Sequence, residues 1–511
     1  MMPEGRDTDF DVVVVGSGLG GLSAAALLAR GGFHVAVVER NQQPGGCAQA
    51  FRRGDYQFDP AVHVTLEAGP GIFTANMLDH LGVADRVQFV TTDHTYRAVY
   101  PDTTIEAPPG RRAFLEYHQE LFPDDADGLS TLFGMRAALF EQLALLPQKL
   151  DARSLEAAME AAPLVFRYRS ATVAEVLSEH LRDPRCAAAF ASAWPYVGSP
   201  PSRLSFLLFN QMLESFHMGA YYPLGGFQTL VDAFGEALVG AGGALLVDNE
   251  VTRIVIEDER AVGVDLAGGE RLSARVVISN ADAHHTFADL VGWDRVPAAY
   301  RRRFDRYRVS PSAFAIYGVL HADPVALGLG HENFVFTDWD HEHTWREVQE
   351  GRPGGMWLTV PTLMDDGLAP EGVHLAIVTS LAPARADGTW HERRDDYAAA
   401  LLDAARLAVP DAAEAIEIVD VATPDSLAAY TRNHDGAIYG WENTPAQTAS
   451  KRLGHRTPVG GLFLSGHWTE EGSGSFRVMT SGRATAALVA TELGRPSAVP
   501  ALGGGALGEE A

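Results

Sequence analysis

Cysteine is scarce: Cys47 and Cys186 are the only two in 511 residues, far apart in the chain and outside any CxxC pair or Cys/His cluster. That spacing excludes a disulfide framework and a structural zinc site, so no metal is expected and a reducing cytoplasm is the predicted setting. Basic charge is also in short supply, with 40 Lys and Arg against 66 Asp and Glu and a net charge of −26. Such a surface repels phosphate backbones and excludes nucleic acid as a partner. No uncharged apolar run reaches eighteen residues, so no spanning helix is predicted. Charged Glu4, Arg6, Asp7 and Asp9 run straight into the first apolar strand, which predicts no signal peptide. Neither a G-x-S-x-G elbow nor an H-E-x-x-H pair occurs, which removes the basis for hydrolase readings. Internal repeats are likewise absent.

What is present is an ordinary globular composition, 46% apolar and 21% charged, long enough for two or three domains. It is organised around DFDVVVVGSGLGGLSAAALLARGGFHVAVVERN, from Asp9 to Asn41. The β-branched run Val12 to Val15 reads as a strand buried on both faces, and a second strand, Val35 to Val38, ends at Glu39. Between them Gly16-Ser17-Gly18-Leu19-Gly20-Gly21 turns into an Ala/Leu-rich helix, completing a βαβ dinucleotide fingerprint. Gly16 permits the tight turn, Gly18 lets backbone approach a pyrophosphate, and Gly21 lets helix and strand pack closely, with the diphosphate on the helix N-terminus. Glu39 is placed to accept from ribose hydroxyls, and its charge, beside Arg40, disfavours a 2′-phosphate. FAD or NAD is therefore predicted over NADP.

Pro44-Gly45-Gly46-Cys47 follows, then a short alternating strand at Tyr56 to Phe58 leading to Asp59 and His63. The stretch GGCAQAFRRGDYQFDPAVH resembles the second cofactor segment of the phytoene desaturase, carotenoid isomerase and retinol saturase family of FAD flavoproteins. Cys47 after the two glycines leans toward the saturase and isomerase side. SAWPYVGSPPSRLSF, GAYYPLGGFQTLVDAFGEAL and WLTVPTLMDDGLAPEGVH resemble later segments of the same family. Two departures stand out: Ala61 and Arg477 each replace a family glycine.

The resemblance implies an α/β, Rossmann-like two-dinucleotide-binding-domain flavoprotein fold with an inserted α+β substrate domain. The FAD-binding domain is expected in three pieces, 9–82, 236–299 and 436–495. A mostly helical cap over 83–235 and a sheet-bearing part over 300–435 form the substrate domain, and 496–511 reads as a disordered tail. In ALLVDNEVTRIVIEDERAVGVDLAGGERLSARVVISNADA, Val251 matches the valine whose backbone meets adenine, and Asn280 and Ala281 end the returning strand. The closing segment places Gly466, Phe476, Arg477 and Val478 by the flavin, with a helix starting near Val478.

Candidate acid/base groups are His63, Glu470 and Glu471. Arg477 either supplies positive charge beside the reduced flavin or points outward. Trp194, Tyr196, Tyr221 and Tyr222 either line a channel for a flat conjugated chain or belong to the core. The helix-forming piece LFGMRAALFEQLALLPQKL, residues 132–150, either packs on the core or makes weak peripheral membrane contact. The resemblance thus implies an FAD-dependent oxidoreductase acting on carbon–carbon bonds of an apolar, polyene or isoprenoid-like small molecule, by desaturation, saturation or isomerisation. The alternatives are an isoprenoid binder of the GDP-dissociation-inhibitor type and a flavin amine oxidase.

Overall fold

The computed structural model describes residues 9–92, 94–146 and 154–502. A first sheet has seven strands, in the order Val251–Glu257, Arg260–Leu266, Arg271–Ser279, Asp9–Val15, Val35–Val38, Ala244–Leu246, with Leu462–Leu464 also pairing Arg271–Ser279. Its centre is parallel: Val12 to Val15 lie beside Val35 to Val38 on one side and Val276 to Ser279 on the other. Alternate residues of the first strand enter different cores. Val12 and Val14 pack with the helix Leu19–Arg30, whereas Val13 and Val15 pack with Phe287 and Leu290 on the opposite face. Two covered faces are why this strand carries no polar alternation.

A second seven-stranded sheet runs in the order Ile416–Ala422, Ser312–Leu320, His374–Ala382, Gly355–Thr359, Glu332–Phe336, Tyr96–Tyr100, Thr103–Ala107. The last two strands come from the stretch expected to be mostly helical. Tyr96–Tyr100 lies parallel to Glu332–Phe336, so the helical part and the sheet part of the substrate region share one sheet. On the far face, Phe314 and Ile316 pack against Trp390, Tyr397 and Leu401 of the helix Trp390–Arg406.

The helices Ala126–Leu145, Val173–His180, Pro184–Ala191 and Phe206–His217 surround one apolar core. Within it Arg136, fully buried, meets Glu214 at 2.9 Å and lies over the rings of Phe133 and Phe190. The described part of the segment 132–150 thus turns Leu132, Phe133 and Leu139 inward; residues 147–150 lie outside the described residues. The apolar positions Leu230, Phe234 and Leu238 are fully buried along Phe227–Gly240. Packing continues past 495: Val499 is buried and Arg495 donates to the carbonyls of Gly31 and Gly32. The rest of the expected tail, 503–511, lies outside the described residues. No helix among the described residues is long and apolar enough to cross a membrane.

Candidate active site

The ends of the parallel strands open into one elongated cavity. Its polar end is built by the first turn. Gly16 has φ +91°, a conformation suited to glycine, and a Cβ on Gly21 would stand 2.3 Å from the Gly16 carbonyl oxygen. A Cβ on Gly18 would meet Nδ2 of Asn280 at 2.8 Å, and one on Gly20 would meet Oδ1 of Asn280 at 2.8 Å and Cα of Gly466 at 2.9 Å. The second glycine pair backs onto the first, since Gly45 bridges to Gly18 and a Cβ on Gly46 would stand 3.2 Å from Gly18 Cα. No side chain caps the helix that starts at Leu19, so its first N–H groups face the cavity free of a capping partner.

Glu39 closes this end. It is 5% exposed and accepts from the Ser17 N–H at 2.9 Å, the Ser17 hydroxyl at 2.7 Å and the Asn41 N–H at 2.8 Å. Arg40 turns away and donates to the carbonyls of Ala429 and Tyr430, tying the helix Pro424–Thr431 over the opening. Arg432 pairs with Glu250 beside it.

The other end is apolar. Ala313, Ala315 and Tyr317, alternate residues of one strand, form its floor together with Trp357. Leu208, Met212 and Phe216, spaced at four along Phe206–His217, form a wall. Polar groups are few here. Tyr196 donates its hydroxyl to the buried Glu332, and His63 meets the Thr359 hydroxyl through Nδ1 at 2.9 Å. Burial and the neighbouring His331 push His63 down to about 3, so its imidazole is neutral at physiological pH. Arg477 lines the junction of the two ends and donates through Nε to the Glu471 carbonyl. Burial pulls its pKa down, opposed by the carboxylates of Glu471 and Glu67.

Residues 19–490 match the family described as flavin containing amine oxidoreductase. The chain belongs to that family. Among its sequence relatives, a prolycopene isomerase of an Oncidium hybrid is 27% identical over 97% of this chain and 86% of its own length. A lycopene-forming phytoene desaturase of Paracoccus sp. is 26% identical over 94% and 97%, and an all-trans-retinol 13,14-reductase of Danio rerio is 24% identical over 90% and 82%. Among solved structures, cyclohexylamine oxidase from Brevibacterium oxydans superposes with a TM-score of 0.61 at 18% identity, covering 95% of this chain and 100% of that one, a likeness of fold.

The protein is therefore a flavoprotein with FAD as its cofactor. The polar end fits that group. Leu19 and Gly20 offer helix N-terminal N–H groups for a diphosphate, the glycine cradle admits close approach, and the Glu39 carboxylate keeps one of about four lone-pair sites for a ribose hydroxyl. Gly16, Ser17, Gly45, Gly46, Cys47, Val251, Ala281, Gly466, Phe476 and Val478 all line the same cavity. Burial raises the Cys47 thiol, which keeps it neutral.

Several expectations need correction. Gly21 lies behind the turn and does not line the cavity, because its role is helix–strand contact. Neither Glu470 nor Glu471 lines it. The glycine turn sends Glu471 backward onto His455 at 3.0 Å, where burial works to raise its pKa but the His455 hydrogen bond and charge prevail and hold it as carboxylate. The outward reading of Arg477 is excluded by its place in the wall. Of the four aromatics, Tyr196 alone reaches the cavity: Trp194 packs edge-on to Trp345, Tyr222 donates to Asp59 at 2.5 Å, and Tyr221 donates to the Met218 carbonyl. The closing helix starts at Ser475, three residues before Val478. Glu332, which the sequence reading passed over, belongs to the wall's second layer; the one signal for it was an acid opening a wholly apolar strand, GluAsnPheValPhe.

Proposed function

We propose that this FAD-dependent oxidoreductase acts on carbon–carbon bonds of an apolar polyene or isoprenoid-like molecule, by desaturation, saturation or isomerisation. The observation that carries this reading is the apolar half of the cavity, whose floor and wall are Ala313, Ala315, Tyr317, Trp357, Leu208, Met212 and Phe216. A conjugated chain gains by burial there at roughly 25 cal/mol per Å² of apolar surface. The relatives named as isomerase, desaturase and reductase support the same substrate class. When bound, FAD supplies two-electron hydride chemistry; the chain's own residues bind, orient, keep out water and hold protons. Leu208, Met212 and Phe216 hold the chain flat against Tyr317 and Trp357, while Tyr196 and His63 present the polar atoms of that half. Carotenoid and polyketide-polyene substrates both fit this description.

Delivery from a lipid surface is part of the proposal. Leu145, Leu155 and Met159, 63%, 42% and 48% exposed, flank residues 147–153 and offer an apolar patch for weak peripheral contact. A cytoplasmic setting is likewise proposed, on two cysteines that are both free thiols. The amine-oxidase reading keeps support from the family description alone. Incubating the FAD-loaded enzyme with conjugated polyenes and with primary amines, and following absorbance and product mass, separates the two.

A further inference from the structure

Glu332 is a buried carboxyl group without a cation. It is 2% exposed and stands opposite Thr359 on the neighbouring strand. One oxygen accepts the phenol O–H of Tyr196. The other, Oε1, has no hydrogen-bond partner and lies 3.5 Å from His63 Nδ1 and 3.8 Å from His331 Nε2. Both imidazoles are engaged elsewhere, His63 Nδ1 with the Thr359 hydroxyl at 2.9 Å and His331 Nε2 with the His63 carbonyl at 2.8 Å. The remaining ionisable group facing it is the Tyr439 phenol. Among the described residues no Lys or Arg pairs with Glu332, and burial raises its pKa to about 8. The group is a neutral acid at pH 7.

Tyr196 stands between this acid and the cavity. Its ring is fixed on three sides, edge-on to Phe334 at 4.7 Å and to Trp357 at 6.2 Å and stacked on Phe216 at 6.1 Å. Phe216 and Trp357 are themselves apolar walls of the substrate half.

We propose that Tyr196 is the catalytic residue that exchanges a proton with a substrate carbon, and that Glu332 is the positioning residue behind it that stores the replacement proton. This rests on the polyene reading above. In the donating direction the Tyr196 O–H bond breaks and the π pair of one double bond forms a C–H bond. The Glu332 O–H bond breaks in turn and restores the phenol. The substrate gains one proton, Glu332 becomes carboxylate, and no electrons are transferred in this step. The positive charge left on the substrate is delocalised along the conjugated chain. Run backward, the same exchange withdraws a proton from a C–H bond.

The test compares wild type, Glu332→Gln and Tyr196→Phe, each purified with FAD and checked for flavin content and melting temperature. Infrared difference spectra across pH should show, in wild type, a protonated-carboxyl band at pH 7 that disappears near pH 8. That band should be missing from Glu332→Gln and shifted in Tyr196→Phe. Its absence from wild type, or its persistence in Glu332→Gln, overturns the proton store. In D2O with a turned-over polyene, wild type should place solvent deuterium on carbon. Tyr196→Phe should lose on the order of 10²-fold in kcat with KM little changed. Glu332→Gln should lose the pH dependence of kcat near 8, which a merely structural glutamate would not govern. Tyr196→Phe turnover within twofold of wild type, with the same deuterium content, overturns the assignment of Tyr196. A wild type that turns over no polyene defeats the substrate reading instead, and the infrared band then decides the Glu332 store by itself.

Discussion

The Glu39 carboxylate accepts both the backbone N–H and the hydroxyl of Ser17, at 2.9 and 2.7 Å, and so fastens the end of the second strand to the glycine turn that follows the first. The acid therefore shapes the nucleotide end of the cavity as well as facing it. Glu39→Ala should weaken FAD binding by about 1.5–3 kcal/mol, the range for a hydrogen bond to a charged group, and should also lower the melting temperature of the apoprotein. Flavin fluorescence titration and apoprotein melting check the two effects. An unchanged apoprotein with weakened FAD would reduce Glu39 to a ribose contact.

Gly18 is constrained from two directions. A Cβ there would meet Asn280 Nδ2 at 2.8 Å before any cofactor is considered. Gly18→Val should abolish FAD retention, and adding Asn280→Ala should relieve the clash within the chain without restoring FAD. Full recovery in the double variant would mean that the glycine serves Asn280 packing alone.

Arg477 bears on the flavin's electrons. With its guanidinium in the wall and Glu67 and Glu471 only partly offsetting the charge, it favours added negative charge on the bound cofactor. Arg477→Gly should retain FAD and lower its reduction potential by tens of millivolts, where about 30 mV corresponds to ~1.4 kcal/mol for a two-electron couple. Redox titration against a dye of known potential reads this directly. Equal potentials would place the charge out of electrostatic reach.

Stability should fall as pH rises through neutrality. Glu332 is held protonated up to about 8 when folded, whereas an unfolded glutamate ionises near its ordinary value of about 4.3. Between those values the folded state binds more protons, so ΔG of unfolding decreases with pH and levels off above 8. Asp59, raised to about 7, and Asp282, raised to about 6, add to the same slope, burial being the main cause for each. Glu332→Gln should flatten the part of the slope between pH 7 and 9, as followed by denaturant unfolding. A slope unchanged in the variant would place the titration in the two aspartates.

The βαβ unit and its acid were legible because their logic is local: strand, glycine turn, helix and Glu39 follow in chain order and each needs only its neighbours. The strands Tyr96–Tyr100 and Thr103–Ala107 were not, since five residues amid helical patterns read as linkers until Glu332–Phe336 supplies a partner. Arg477 was legible as an anomaly but its direction was not, because only the turn at Gly472 and Gly474 decides which side chains face the cavity. That turn carries Glu470 and Glu471 out of it. Glu332 and Tyr196 are 136 positions apart, and no periodicity connects a strand's first residue to a phenol on another element. Non-local polar pairs of this kind appear only when the two sheets and the helical part are assembled.

The central claim is chemical, and one measurement reaches it most directly: anaerobic incubation of the FAD-loaded enzyme, oxidised and pre-reduced, with a set of conjugated polyenes and a set of primary amines, followed by absorbance and product mass. The account predicts that a polyene changes, either by two hydrogen atoms in mass or by a shifted spectrum at constant mass, and that the amines do not. Oxidation of an amine with every polyene returned unchanged would contradict it.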